Sequence, residues 1–219
     1  MKDTANGIGF YGKLPCRGDF LQRRAPMPFV EVWDAWLQEC LHASKEQLQE
    51  AWLDAYLTGP VWRFVLDAGV CGDDSYAGIL VPRVDRVGSY FPLTVVARFE
   101  AGHCPLDVAC GATAWFEAAE ALVLDALEAE TLEIVAFDES VARLGEPLAA
   151  ERASESSAQS LQRAINVFAY PEMSRALKPL TLWWTEGSQA LRASCLTLRG
   201  LPEARAFAAM LSDYSIAEA

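Results

Sequence analysis

Three glycines near the start of the chain are spaced as in a phosphate-binding loop. Gly7, Gly9 and Gly12 match the pattern G-x-G-x-x-G, and Lys13 completes a near match to G-x-x-x-x-G-K-[ST]. Such a loop follows a strand and leads into a helix whose first amides face the phosphate. Only six residues precede Gly7, however, and Leu14, followed by a proline, stands where the magnesium-binding hydroxyl residue should be. The sequence therefore argues against a nucleotide site.

Cysteine and histidine side chains offer a second chemistry, nucleophilic catalysis. A hydrolase could use the thiol of Cys16 or the imidazole of His103 together with a nearby carboxylate. No nucleophile motif surrounds either residue, and His103 lies in a predicted turn beside Cys104. A hydrolase is therefore the alternative, while the sequence favours a protein that is not an enzyme.

The same residue types are too sparse for a metal site. Structural zinc sites take four ligands at short spacings, often including C-x-x-C. The sequence has two histidines, His42 and His103, and no C-x-x-C among its six cysteines. We therefore expect no metal and no other cofactor, and we expect the cysteines to be free thiols.

Composition and charge are those of a globular protein. Hydrophobic residues make up 52% of the 219 positions and charged residues 22%, which suits one packed domain over residues 1–219. The net charge of −12 would repel a nucleic-acid backbone. No apolar run is long enough to cross a membrane, and the first residues lack the apolar core of a signal peptide. We expect a cytoplasmic protein with no membrane insertion and no nucleic-acid partner.

A local basic segment contrasts with this acidic composition. Lys13, Arg17, Arg23 and Arg24 fall within twelve positions that contain one acidic residue, Asp19. Exposed cations on an acidic protein orient a negative partner, while the remaining surface repels other placements. We expect this segment to contact an acidic or phosphorylated surface of a partner protein.

The elements that position these residues are indicated by the spacing of apolar residues. Helical spacing predicts helices over residues 29–49, 52–57 and 106–130, and a closing helix from Pro202. Apolar and β-branched runs predict strands over residues 8–13, 61–67, 76–84, 90–99, 180–185 and 191–199. Short turns between consecutive strands indicate antiparallel pairing. Residues 145–162 show little periodicity and are predicted to form a mobile connection.

The strand over residues 90–99 indicates how these elements are layered. Its segment 93–97 (LTVVA) is apolar on both alternating faces, as expected of a strand that is covered on both sides. With long amphipathic helices before and after it, this predicts an α/β fold, a three-layer α/β/α sandwich around a mainly antiparallel or mixed central sheet. Trp183 and Trp184 should lie on opposite faces of their strand, either in the core or, where one indole is exposed, as an interface anchor.

Two long segments carry a family resemblance. They are residues 9–20 (GFYGKLPCRGDF) and residues 78–94 (GILVPRVDRVGSYFPLT), with FVEVWDAW at residues 29–36 between them and LWW at residues 182–184 downstream. In this order they resemble the TagF family, also called ImpM, whose members are associated with the bacterial type VI secretion system. The resemblance covers most of the chain. Cys16 departs from it, because a small polar residue such as serine is expected at that position.

The resemblance implies a function. It implies a cytoplasmic, post-translational negative regulator of secretion, which in some systems sequesters a forkhead-associated scaffold protein of the machine. It implies neither catalysis nor a small-molecule substrate. A structural or assembly component of the secretion apparatus is the alternative within the same system.

The two segments also supply the candidate site residues. Their loops combine Gly, Pro, Arg and Asp, a composition suited to a fixed backbone and a charged surface. The charged members either form an internal salt-bridge network or contact the partner, and these are Arg17, Asp19, Arg83, Asp85 and Arg86. Because unpaired buried charges are costly, we expect residues 14–20 and 83–90 to lie close together. The full set of candidate residues is Gly12, Lys13, Leu14, Pro15, Arg17, Gly18, Asp19, Arg23, Arg24, Arg83, Asp85, Arg86, Gly88, Tyr90 and Trp183.

Overall fold

The computed structural model describes residues 7–14, 20–84, 88, 90–99, 102–129, 131–147 and 178–213. Within these residues seven strands form one sheet: β1 (Ile8–Gly12), β2 (Leu21–Arg23), β3 (Trp62–Leu66), β4 (Ser75–Val81), β5 (Leu93–Phe99), β6 (Leu180–Gly187) and β7 (Arg192–Arg199). Their order across the sheet is β2-β1-β5-β4-β3-β6-β7, and every neighbouring pair is antiparallel. The antiparallel pairing predicted for consecutive strands is confirmed in β3, β4 and β5, which form a meander at the centre of the sheet.

The meander strands occupy the middle of the sheet because both of their faces are apolar. Every residue of β3 and β4 is buried, and in β5 only Arg98 is exposed. Ile79 of β4 pairs with Val95 of β5, and Leu80 pairs with Thr94. Successive side chains thus enter two different cores, as the doubly apolar segment 93–97 predicts.

Helices cover both faces of the sheet. One face carries α3 (Pro105–Gly111), α4 (Thr113–Glu128) and α5 (Ile134–Arg143), and its core includes Phe10, Val65 and Trp184. The other face carries α1 (Met27–Leu48), α2 (Trp52–Leu57) and a closing helix (Phe207–Leu211), and its core includes Phe64, Leu80 and Trp183. The predicted three-layer α/β/α sandwich is confirmed.

Tryptophans fix α1 on the sheet. Trp33 is fully buried, stacks on Trp183 with 5.8 Å between ring centres, and donates its indole N–H to the hydroxyl of Thr94 at 2.8 Å. Trp36 donates its indole N–H to the carbonyl of Pro202 at 2.7 Å. Each ring buries a large apolar area and satisfies its one polar group. Together they hold α1 against β5, β6 and the segment before the closing helix.

Two helices differ in extent from the prediction. The helix predicted over residues 106–130 is two helices, α3 and α4, which meet at Ala112. At this break Thr113 donates its hydroxyl to the carbonyl of Cys110 at 3.1 Å, so a side chain competes for a helical acceptor. The closing helix begins at Phe207, after a 3-10 turn (Ala204–Ala206), and not at Pro202.

Two elements have no counterpart in the sequence analysis. These elements are the strand β2, which has three residues, and the helix α5, in which only Phe137 and Val141 are buried. A three-residue strand gives almost no periodic signal, and the helical spacing of Ile134, Phe137 and Val141 extends over fewer than about three turns. Most of the predicted mobile connection over residues 145–162 lies outside the described residues.

Candidate interaction site at one end of the sheet

Antiparallel pairing brings the two segments that carry the resemblance to the same end of the sheet. β1 and β4 end there, and β5 begins there. We call the described residues among 9–21 and 81–93 the motif end. Phe91 packs edge-on against Tyr11 at 5.9 Å and against Phe20 at 4.7 Å between ring centres. The flanks of the two predicted loops therefore meet, whereas Asp19 and Arg86 lie outside the described residues and their closeness stays a prediction.

Two glycines of the first segment allow the close approach of backbone. A Cβ at Gly9 would overlap the carbonyl oxygen of Arg23 and the amide nitrogen of Ala25, where the chain crosses over β1. Gly12 has a φ of +130°, and a Cβ there would overlap the carbonyl oxygen of Pro92. Both glycines therefore belong to a strand that packs directly against backbone, and not to a loop between a strand and a helix.

The structure corrects the prediction that Lys13 offers a free positive charge to a partner. Lys13 is 5% exposed, and its ammonium nitrogen lies 5.1 Å from the ring centre of Phe20. The adjacent Leu14 is fully buried in the core. Both residues therefore hold the segment in place.

Arg24 is also an internal contact. Its guanidinium pairs with the Asp138 carboxylate at 2.7 Å and donates to the backbone carbonyls of Asp138 at 2.9 Å and Ile8 at 3.1 Å. Its φ of +54° is uncommon for a residue with a side chain, and these contacts hold it there. Arg23 is exposed, and Arg17 lies outside the described residues. The prediction of one basic contact surface is therefore corrected, because Lys13 and Arg24 are engaged inside the protein.

A tyrosine of α2 fixes the backbone where the second segment leaves β4. Tyr56 donates its hydroxyl to the carbonyl of Arg83 at 2.9 Å and accepts from the amide of the same residue at 3.1 Å. Burial raises the pKa of Tyr56, so this hydroxyl keeps its proton. Burial also lowers the pKa of Arg83, whose Nε is buried without a hydrogen-bond partner among the described residues. The proposed partners of Arg83 in an internal network, Asp85 and Arg86, lie outside those residues.

Tyr90 connects the second segment to the helical layer that contains α1 and α2. It packs edge-on against Trp52 at 5.1 Å and against Tyr56 at 5.8 Å. The exposed Lys45 places its ammonium 4.5 Å from the ring centre of Trp52 and 5.6 Å from that of Tyr90. Such cation–π contacts contribute about 0.5–1 kcal/mol at exposed sites. Lys45 and Trp52 are not predicted as site residues, because helical periodicity is their only signal in the sequence.

Large apolar side chains are exposed at this end. Phe20 is 51% exposed although its ring also packs against Tyr11 and Phe91. Leu53 and Leu57 lie one helical turn apart on α2 and are 43% and 48% exposed. Apolar anchors beside a well-fixed backbone are the usual make-up of a protein-binding surface.

The two adjacent tryptophans of β6 lie in the core. Trp183 is fully buried among the helices that include α1, and Trp184 is 5% exposed on the opposite face against α4. The prediction of one indole on each face is correct, but the alternative of an exposed indole anchor is wrong for both residues. Of the other candidates, Gly88 is exposed, whereas Pro15 and Gly18 lie outside the described residues.

His103, one of the two residues of the hydrolase alternative, lies away from the motif end. A cleft of about 500 Å³ at the opposite end of the sheet is lined by residues that include Asp67, Ser75, His103, Cys104 and Lys178. Asp67 accepts a hydrogen bond from the amide of Leu180 at 2.9 Å, and Ser75 accepts one from the amide of Ala68 at 3.1 Å. These two side chains thus fix strand ends. The lining belongs to neither segment of the motif end, and Cys16 lies outside the described residues.

The thiols of two buried cysteines, Cys40 and Cys71, and of the partly buried Cys195 are protonated near neutral pH. Burial raises the pKa of Cys71 to about 12 and that of Cys195 to about 11, and it also raises the pKa of Cys40. The thiolate is the nucleophilic form, so these cysteines serve as small core residues. Among the described residues no three His, Cys, Asp or Glu side chains are grouped to hold a metal ion, and no described helix has the length and apolar character to cross a membrane.

Fold and site together define a class, an antiparallel α/β/α sandwich whose glycine-rich first strand packs against backbone at one end of the sheet. The protein-family model "TagF N-terminal domain, Type VI secretion system-associated" matches residues 9–144 of the chain. The chain therefore belongs to the type VI secretion system-associated TagF family. The crystal structure of PA0076 from Pseudomonas aeruginosa PAO1 is similar to it, with 38% sequence identity, coverage of 94% of each chain and a TM-score of 0.77. No curated protein matches the chain.

Proposed function

We propose that the chain is a cytoplasmic, non-enzymatic accessory protein that represses type VI secretion after translation by binding a component of the machine. The component that we propose is the forkhead-associated scaffold protein. Membership of a family associated with this secretion system supports the setting. In this proposal the chain acts by occupying its partner and leaves the partner's covalent structure unchanged.

The observation that carries a binding role is the make-up of the motif end. Both segments that carry the resemblance converge there, and Tyr56 and the two glycines of β1 fix their backbone. Phe20, Leu53 and Leu57 are exposed beside this fixed backbone. A surface that is ordered before binding loses less conformational freedom on association, which favours affinity.

We propose two roles for the candidate residues. Contact with the partner is assigned to Phe20, Arg23, Gly88 and Tyr90, and on the same surface to Pro15, Arg17, Gly18, Asp19, Asp85 and Arg86. Support of that surface from within is assigned to Gly12, Lys13, Leu14, Arg24, Arg83 and Trp183. We also infer that the chain forms one domain, because β6, which follows residues 148–177, pairs with β3 in the same sheet.

Secretion by a deletion strain tests the repressor role. Loss of the chain should raise the amount of a type VI substrate in the culture medium. Overproduction of the chain should abolish secretion of that substrate. Restoring the gene at its native level should return secretion to the parental level. If deletion abolishes secretion instead, the chain is a building block of the apparatus and the repressor role is wrong.

A further inference from the structure

The two edges of the sheet are built differently. β2, at one edge, has three residues and is followed by Arg24, whose left-handed backbone lies where the chain crosses over β1. β7, at the other edge, has eight residues and pairs with β6 on one side over its length. No described strand pairs with its other side. A long edge strand presents unpaired N–H and C=O groups that can accept a further strand.

The middle of β7 carries in its own residues none of the devices by which a strand's sequence protects its edge. Proteins guard such strands with proline, inward-pointing charges, bulges or short length. The six central residues of β7, residues 193–198 (ASCLTL), include neither proline nor a charge. Leu196 and Leu198 are half-buried against the core that contains α1, so a strand added at this edge could extend that core.

The charges of β7 indicate the occupant. Arg192 and Arg199 are exposed at its two ends, and the strand contains no acidic residue, although the whole chain has a net charge of −12. Two copies paired about the strand's midpoint would place Arg192 of one opposite Arg199 of the other, and like charges in cross-strand pairs are destabilising. Carboxylates of an added strand, placed opposite Arg192 and Arg199, would instead form favourable charge pairs. The edge therefore fits an acidic strand better than a second copy of itself.

We propose that β7 is a docking edge for an extended acidic segment of a partner protein. The segment adds to the sheet antiparallel to β7, and its backbone hydrogen bonds give the affinity. Its acidic residues lie near both ends, roughly 24 Å apart, which is seven residues at the rise of an antiparallel strand. This contact is independent of the motif end and of the repressor role.

Binding of two short peptides tests the docking edge. Both peptides have eight residues, like β7, with blocked termini and with Val and Thr alternating between the two end residues. One peptide has Glu at each end, and the other has Lys at each end. The Glu-ended peptide should bind about tenfold more tightly, as expected of two charge pairs that change sign, and should slow hydrogen exchange of the β7 amides. R192E/R199E should reverse the preference. The control R143E/R205E makes the same change in net charge at exposed positions outside β7. It should still prefer the Glu-ended peptide.

Three results would overturn the proposal. The first is that neither peptide slows exchange in β7. The second is that R192E/R199E and R143E/R205E show the same peptide preference. The third is that exchange in β7 of the free protein slows as protein concentration rises while sedimentation shows a dimer, because the occupant would then be a second copy.

Discussion

At the scale of single residues, Arg23 and Arg24 show how neighbours in sequence can have different roles. Arg24 donates to two backbone carbonyls and pairs with Asp138, 114 positions later, so its charge joins β1 to α5. Arg23 is exposed and free to face a partner. Charge alone does not separate the two, because the environment of each is set by contacts between distant elements.

Charge reversal at these two positions should therefore have unequal effects on stability. Arg24→Glu places a carboxylate beside Asp138 and removes the bonds to both carbonyls, so we expect a loss of about 2 kcal/mol in the free energy of unfolding. Arg23→Glu, the matched control, should change it by less than about 0.5 kcal/mol. Chemical denaturation measures both. Equal effects of the two reversals would mean that the contact with Asp138 contributes nothing to stability.

Lys13 shows the limit of sequence reasoning at this scale. A lysine in a glycine-rich segment with several arginines is predicted to be exposed, because lysine is among the least buried residue types. The structure buries it beside Phe20, and the ring contact that accompanies this burial depends on tertiary packing. Trp183 was the easier case, since strand geometry already placed Trp183 and Trp184 on opposite faces, although burial of both rings required the structure.

At the scale of elements, the crossing of residues 23–25 over β1 determines the geometry of the motif end. Gly9 lies under this crossing, where any side chain would overlap backbone atoms of the crossing segment. Backbone cannot move aside as a flexible side chain can, so the crossing and the strand would have to separate.

Substitution of glycine by alanine at two positions measures this constraint. Gly9→Ala should lower the free energy of unfolding by about 1–3 kcal/mol, because it overpacks a rigid contact. Gly111→Ala is the matched control, since Gly111 ends α3 and an added Cβ there would meet open space, and it should raise stability by about 0.5 kcal/mol. Thermal and chemical denaturation of both variants provide the comparison. A stable Gly9→Ala variant would show that the crossing yields easily and does not fix the motif end.

The elements predicted correctly are those with a long and regular pattern. The 22-residue helix α1 and the doubly apolar strands of the meander were predictable because burial on defined faces leaves a clear periodicity. The break at Ala112 was not, because alanine is the best helix former and the break coincides with a bond from Thr113. The helix α5 was missed although Ile134, Phe137 and Val141 recur at helical spacing, because a ten-residue pattern extends over fewer than about three turns.

At the scale of the whole molecule, the sheet separates two sets of residues. The motif end holds the segments of the family resemblance with exposed Phe20, and the opposite end holds the cleft with His103 and Cys104. The seven residues of β4 keep the two ends roughly 20 Å apart. The two segments meet through the pairing of β1 with β5 and through the ring of Phe91, whereas the contact between their charges that we expected stays a prediction. The position of α2 beside them, with Leu53 and Leu57, required the structure.

Binding of the purified chain to the purified forkhead-associated scaffold protein is the most direct test of the central claim. Titration calorimetry should detect a complex with the unmodified chain. Phe20→Ala should weaken it at least about tenfold, because a half-exposed aromatic anchor is removed from the contact surface. Val135→Ala, which truncates an apolar side chain that is 69% exposed on α5, should leave the affinity unchanged. Absence of a complex with the unmodified chain, or equal affinity of the two folded variants, would contradict the account.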